Sequence, residues 1–281
     1  MASSSTVFGG THHVTGLRLF SDASQIQESD WDAILITVKT YDTQSAVDAC
    51  RRLVGPQTWL ISIQNGHGNL EAMAAAFGAD RILGARIITG AEMKPGHVTI
   101  TVHADALRLG PHHGEADLMP AARRWAAILD SAGVPTQASD QFLPYLWAKL
   151  LYNCALNPMG ALLRLTYGEL WEHPPCRQAM SDIFREAFAV CQAHGIPLFW
   201  QRPEDYEKVF DTELVPKTRN HYPSMLRDLE HRGRTEIDSM NGAVVELGKQ
   251  HGIVTPVNAV LTAMIKRKEK AVSSALAGGK H

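Results

Sequence analysis

The sequence has no CxxC pair, no long apolar run and no block of charge of one sign, and each absence removes a class of function. Its cysteines, Cys50, Cys154, Cys176 and Cys191, are scattered. At least two fall in apolar helical patterns, where a free thiol behaves as a small hydrophobe. The chain therefore reads as a protein of a reducing, cytoplasmic compartment, with no metal site expected. No stretch reaches the roughly 18 to 20 uninterrupted apolar residues of a membrane span. The N-terminus also lacks the charged-then-apolar pattern of a signal peptide, so no membrane is expected as a partner. The 27 basic and 29 acidic residues nearly cancel and are interspersed, which leaves no electrostatic footprint for nucleic acid. The basic cluster Lys266, Arg267, Lys268 and Lys270 reads as a solvated helix end.

A chain of 281 residues is long for one compact core and comfortable for two domains or one large α/β unit. Residues 1–13, MASSSTVFGGTHH, are small, polar and glycine-bearing, and predict a flexible leader. Within 32–64, DAILITVK and TWLISIQ flank a helical stretch ending near Leu53, the pattern of a βαβ unit with parallel strands. Further strands are expected at 14–20 and 81–89, followed by an antiparallel pair turning at Lys94-Pro95-Gly96. From 117 onward the pattern is helical. Three segments there stop at a glycine followed by an apolar residue, a C-cap signal. The expected organisation is an α/β domain over 14–116 and an all-helical domain over 117–281.

The polar groups that need explaining start with the helix WAKLLYNCALNPMGALL, 147–163. It is apolar on nearly every side, yet Lys149, Asn153 and Asn157 fall at i, i+4 and i+8 on one narrow stripe. Lys149 could snorkel to the surface, and Asn157 before Pro158 could end or kink the helix. Asn153 resists a plain structural reading, because a buried carboxamide without partners costs about 1 to 3 kcal/mol. Three such groups on one stripe fit the wall of a polar cleft. Ligands of an open parallel sheet bind beyond the carboxyl ends of its strands, and Lys39 and Asn65 occupy those places, Asn65 in a QNGHGN turn. Their plain readings are a solvated lysine and a turn asparagine. Downstream, Ser224 opens a helical run, where it would serve as N-cap. Glu236 falls in the first turn of the next helix, where the dipole favours a carboxylate. On that helix Ile237, Met240, Val244 and Leu247 define the buried face.

VKTYDT, QNG, KLLYNCALNP, PSMLRDLE, TEIDSMNGAVV and HGIVTPVN, in this order and at these separations, closely resemble the ketopantoate reductase family over about 14–268. The resemblance implies a Rossmann-like parallel-sheet domain and a helical domain, NADPH as cofactor, and a small 2-oxo acid, ketopantoate, as substrate on the route to pantothenate. It carries Lys149 over as the lysine that protonates the carbonyl oxygen, and Asn65 as a residue touching both nicotinamide ribose and substrate. Asn153 and Asn157 match the pair that orient substrate, Ser224 the serine holding its carboxylate, Glu236 the acid accepting its hydroxyl, and Lys39 the lysine on the cofactor side. A homo-oligomer is allowed.

Two departures stand out. The family pattern has asparagine three residues before the serine, where this chain has His221, with Asn220 one place earlier. Family members also begin with a strand, a GxGxxG turn and a helix. Gly9, Gly10 and Gly16 do not make that spacing, so the sheet domain reads as N-terminally truncated, NADPH binding as weakened, and the remaining sheet as carrying an open edge. Three functions stay open: a ketopantoate-reductase-type enzyme, a relative acting on another 2-oxo acid, and a non-catalytic paralogue that has lost cofactor binding.

Overall fold

A computed structural model describes residues 3–7, 10–112 and 114–278. They divide into two compact units, Met1–Gln64 with Asn69–Phe142, and Asn65–Gly68 with Leu143–His281.

The first unit contains β1 (Ser3–Val7), β2 (Gly10–Val14), β3 (Ala33–Ile36), α1 (Thr43–Cys50), β4 (Trp59–Ser62), α2 (Asn69–Phe77), β5 (Ile82–Lys94), β6 (His97–Pro111), α3 (Met119–Ser131) and β7 (Thr136–Ala138). The strands form one sheet in the order β2-β1-β6-β5-β4-β3, with β7 paired to β6. β3, β4 and β5 run parallel, as a βαβ unit with aliphatic strands requires. β5 and β6 form the antiparallel hairpin expected around Lys94-Pro95-Gly96. At its base Gly84 faces Gly110, and the buried Phe142 ring occupies the space. A Cβ at Gly84 would come within 2.3 Å of that ring, and one at Gly110 within 2.0 Å of the Ser139 carbonyl oxygen.

Three expectations for this unit need correction. The segment predicted as a flexible leader contributes strands instead, β1 pairing with β2 and running parallel to the far end of β6; its Met1, Ala2, Phe8 and Gly9 lie outside the described residues. Polar composition had argued for disorder, but backbone pairing to an existing strand needs no apolar side chains. The strand expected over 14–20 stops at Val14, and the chain beyond it is irregular. The unit also extends past the boundary expected at 116. α3 buries Ala122, Trp125 and Ala126 against Ile61, Leu83 and Leu109 of the sheet, so it is a layer of the sheet domain.

The second unit is helical: α4 (Phe142–Leu163), α5 (Tyr167–Glu172), α6 (Pro174–His194), α7 (Pro203–Val209), α8 (Val215–Thr218), α9 (Ser224–Arg232), α10 (Asn241–Gln250) and α11 (Pro256–Gly278). Its core joins Trp147, Leu151 and Cys154 of α4 to Ile183, Phe184 and Ala187 of α6 and Val244 of α10. The buried face expected from Ile237, Met240, Val244 and Leu247 is observed. Gly195, in the left-handed conformation with φ 72°, ends α6 as the glycine signal predicts. α4 does not end before Pro158 but runs through it. Proline lacks the N–H that would bond the carbonyl of residue 154, and the fully buried Asn241 replaces it, its Nδ2 donating to the Cys154 oxygen at 3.0 Å. Among the described residues no helix is long and apolar enough to cross a membrane.

Candidate active site

α4 presents Lys149, Asn153 and Asn157 one turn apart, so the stripe read from the sequence is a physical feature of one continuous helix. At its N-terminal end the Lys149 ammonium donates to the Asn65 Oδ1 at 2.6 Å. Asn65 stands in the turn 65–68, which is docked on the segment before α10: His67 N–H donates to the Ser239 carbonyl at 2.9 Å. Gly66, at φ 83°, lies so close to Ser239 that a Cβ would meet its Oγ at 2.4 Å. The His67 ring also lies against Trp147 of α4, centroids 5.5 Å apart.

Asn153 is only 8 % exposed, and its carboxamide has no hydrogen-bond partner among the described residues. Its polar atoms are not sealed from water, so water or a ligand can satisfy them; without either, a carboxamide so placed would cost about 1 to 3 kcal/mol. Asn157 accepts a hydrogen bond from Tyr167 Oη at 2.9 Å, and its Nδ2 lies 3.6 Å from the Met240 sulfur.

Glu236 is buried and precedes the 3₁₀ turn Ile237–Ser239 rather than lying in the first turn of a longer helix. Its carbonyl accepts from Ser239 Oγ at 2.9 Å, which ties it to the segment carrying the docked turn. Ser224 is the first residue of α9, and Pro223 takes the N-cap place expected for it. The serine hydroxyl is therefore not used as a cap and is exposed. Pro223 in turn packs on α4, where a Cβ at Gly160 would come within 2.9 Å of its ring. The second unit thus gathers the α4 stripe, the Asn65 turn, the Glu236 segment and the approach to Ser224. Lys39 belongs to the first unit, half-buried after β3. There Gln64 Nε2 donates to the Val38 carbonyl at 2.8 Å and to Thr43 Oγ1 at 2.7 Å, fixing the strand ends.

Burial pushes the Tyr167 hydroxyl well above its ordinary range, with the neighbouring Tyr152 adding to the shift. Burial likewise raises the Cys154 and Cys191 thiols, which keeps them protonated and unreactive. His221 is shifted down, first by burial and then by Arg227, and its ring lies against that of Tyr167 at 5.3 Å. Sequence reasoning missed Tyr167, although Thr166-x-x-Glu169 is a legible capping box and is formed in the structure.

The cofactor fits unequally. Asn65, the residue that the family resemblance sets at the nicotinamide ribose, is held by Lys149. A pyrophosphate needs amides at a helix N-terminus after a glycine turn. Gly10 instead starts β2, and Gly16 is followed by irregular chain and a single 3₁₀ turn, Ala23–Gln25, so residues 10–32 hold no such cradle. Among them no group of three or more His, Cys, Asp or Glu is placed to hold a metal ion.

A lysine held by a carboxamide, a second and third carboxamide in line with it, and a carboxylate and serine on neighbouring segments stand together on the helical unit of an α/β protein. Residues 7–114 match the family described as "Ketopantoate reductase PanE/ApbA" and 141–269 its C-terminal part, "Ketopantoate reductase PanE/ApbA C terminal". The chain belongs to the ketopantoate reductase family. It is 41% identical over 239 residues to the 2-dehydropantoate 2-reductase of Aquifex aeolicus, covering 85% of this chain and 76% of that protein. It is 30% identical over 258 residues to that of Pyrococcus horikoshii, covering 91% and 82%. The crystal structure of a PanE/ApbA family ketopantoate reductase from Ralstonia eutropha JMP134 superposes with a TM-score of 0.82 at 30% identity, covering 96% of this chain and 86% of that one.

Proposed function

We propose that this chain reduces 2-dehydropantoate to pantoate with NADPH. The observation that carries the reading is the α4 stripe, in which Lys149 is held by Asn65 and the buried Asn153 carboxamide is left to meet a ligand. Reduced nicotinamide supplies a hydride, and Lys39 and Asn65 are the residues of this chain assigned to holding the cofactor. Addition of hydride to the 2-oxo carbon moves negative charge onto its oxygen. The Lys149 ammonium stabilises that charge and delivers the proton, so the product leaves as the alcohol. Asn153 and Asn157 orient the 2-oxo acid, Ser224 takes its carboxylate, and Glu236 accepts the hydrogen bond of its hydroxyl.

His221, where the family pattern has asparagine, favours a second reading, a different 2-oxo acid in the same site. One assay separates the two. Consumption of NADPH is followed with ketopantoate and with a branched 2-oxo acid lacking the hydroxyl, for the wild type and for Glu236→Ala. The first reading expects Glu236→Ala to raise KM for ketopantoate about 10- to 100-fold, the scale of a charged hydrogen bond, and to spare the other acid. Equal loss on both makes Glu236 structural, and better wild-type turnover of the acid without the hydroxyl favours the second reading. No consumption with either acid overturns both.

A further inference from the structure

We propose that Tyr167 is a positioning residue of this site, fixing which way the Asn157 carboxamide faces. The proposal rests on the assignment of Asn157 to the substrate pocket and adds a residue and a direction to it. An asparagine side chain is an acceptor at one end and a donor at the other, and its two orientations fill nearly the same space. Tyr167 Oη donates to Asn157 Oδ1 at 2.9 Å, which leaves the Nδ2 end towards Met240 Sδ at 3.6 Å, a weak acceptor that competes poorly for those hydrogens. With its oxygen engaged, Asn157 offers donors, the polarity that binds the oxygens of a 2-oxo acid.

Tyr167 is itself held from several sides, which is what a residue needs in order to impose an orientation on another. It is buried. Its N–H donates to the His221 carbonyl at 3.1 Å, and the N–H of Gly168 donates to the Arg219 carbonyl at 2.9 Å. Its ring meets that of Tyr152 edge to face at 5.6 Å, and Tyr152 Oη lies 2.6 Å from Thr218 Oγ1. Thr166 and Glu169 close the capping box that starts its helix. The backbone bonds to 219–221 reach the segment that leads into Ser224. One tyrosine therefore braces both Asn157 and the approach to the serine.

The test is Tyr167→Phe, which keeps the ring and removes the donor, read in two ways. In the first, uniformly ¹⁵N-labelled wild type and variant are compared at the side-chain amide of Asn157, assigned by its loss in Asn157→Ala. The proposal expects the pair to shift and broaden in Tyr167→Phe while backbone resonances of α4 hold their places. An unmoved pair overturns it. This readout needs no turnover, so it decides the proposal even if the chain proves inactive on ketopantoate, a result that would sink the functional reading alone. In the second, KM for the 2-oxo acid is expected to rise about five- to ten-fold, the scale of one net hydrogen bond, with KM for NADPH unchanged and kcat within about two-fold. In the Asn157→Ala background Tyr167→Phe should then add nothing. An undiminished effect there would show that Tyr167 acts by another route and overturn the proposal.

Discussion

The two units solve the problem of burial differently. In the second, apolar side chains of α4, α6 and α10 close on one another, and the polar groups left inside include Asn153 and Asn157 of the stripe, Glu236, and Asn241, which mends the helix at Pro158. In the first, the core is a thinner seam between the sheet and α3, and large apolar side chains stay in water. Leu17, Leu19, Phe20, Trp31 and Val38 are exposed within a short stretch, and Leu35, on β3, is 45 % exposed. β3 is also the edge of the sheet, paired to β4 alone among the described residues, so its outer backbone groups form the open edge expected from the sequence. The difference teaches that the residues proposed to meet the substrate stand on the closed unit, where neighbouring helices fix their rotamers, while the sheet unit keeps large apolar side chains and a strand edge in water.

The largest expected effect tests whether the chemistry belongs to the second unit. Lys149→Ala should lower kcat by about 100-fold or more, the cost of removing one electrostatic contact to a developing alkoxide, with the far-UV spectrum and thermal midpoint unchanged. Near-wild-type turnover would remove the stripe from the mechanism and leave Asn153 without a reason.

A smaller effect probes how the second unit tolerates a proline in its central helix. Asn241→Leu should destabilise it by about 2 kcal/mol, because the Cys154 carbonyl and the Asn258 Oδ1, which accepts from the same amide at 2.9 Å, both lose their donor. Pro158→Ala restores a backbone N–H for Cys154, so Asn241→Leu should cost less in that background. Equal costs in both, measured by chemical denaturation, would show that Asn241 stabilises by packing and not by replacing the missing hydrogen bond.

The same contrast explains what the sequence disclosed. Periodicity and caps are local, so the α4 stripe, the buried face of Ile237, Met240, Val244 and Leu247, and the glycine at Gly195 were all readable. Asn65 was readable because a strand end is a local event. What depended on pairing between distant segments was not. β1 and β2 are polar, and only pairing, β1 with β6 and β2 with β1, makes them strands. α3 carries the same amphipathic signature whether it covers a sheet or joins a bundle, so the unit boundary was placed too early. α2, directly after the QNGHGN turn, passed unnoticed because the turn's glycines read as a loop. Tyr167 needed the tertiary structure, since nothing in its spacing points to Asn157.

The smallest expected effect bears on the sheet unit, and it is a pH effect of defined sign. Arg86, 4 % exposed, donates to Asp105 Oδ2 at 2.6 Å, and Arg108 reaches the other oxygen at 3.2 Å. Partial burial alone would raise the Asp105 carboxyl, but the bonds from Arg86 and Arg108 outweigh it and hold the group below its usual range. A carboxyl lowered in the folded state contributes stability above its unfolded pKa and loses it as pH falls through the folded value. Asp105→Asn should therefore destabilise the first unit by about 1 kcal/mol at neutral pH, a figure kept small because the carboxylate is partly in water while the guanidinium is not. The gap between variant and wild type should close as the solution is made acidic. Hydrogen exchange of β5 and β6 amides at neutral and acidic pH reads this unit separately from the helical one. A gap of the same size at both pH values would mean that the asparagine disturbs packing and not charge, and protection lost equally in α4 and α6 would mean that the two units do not unfold separately.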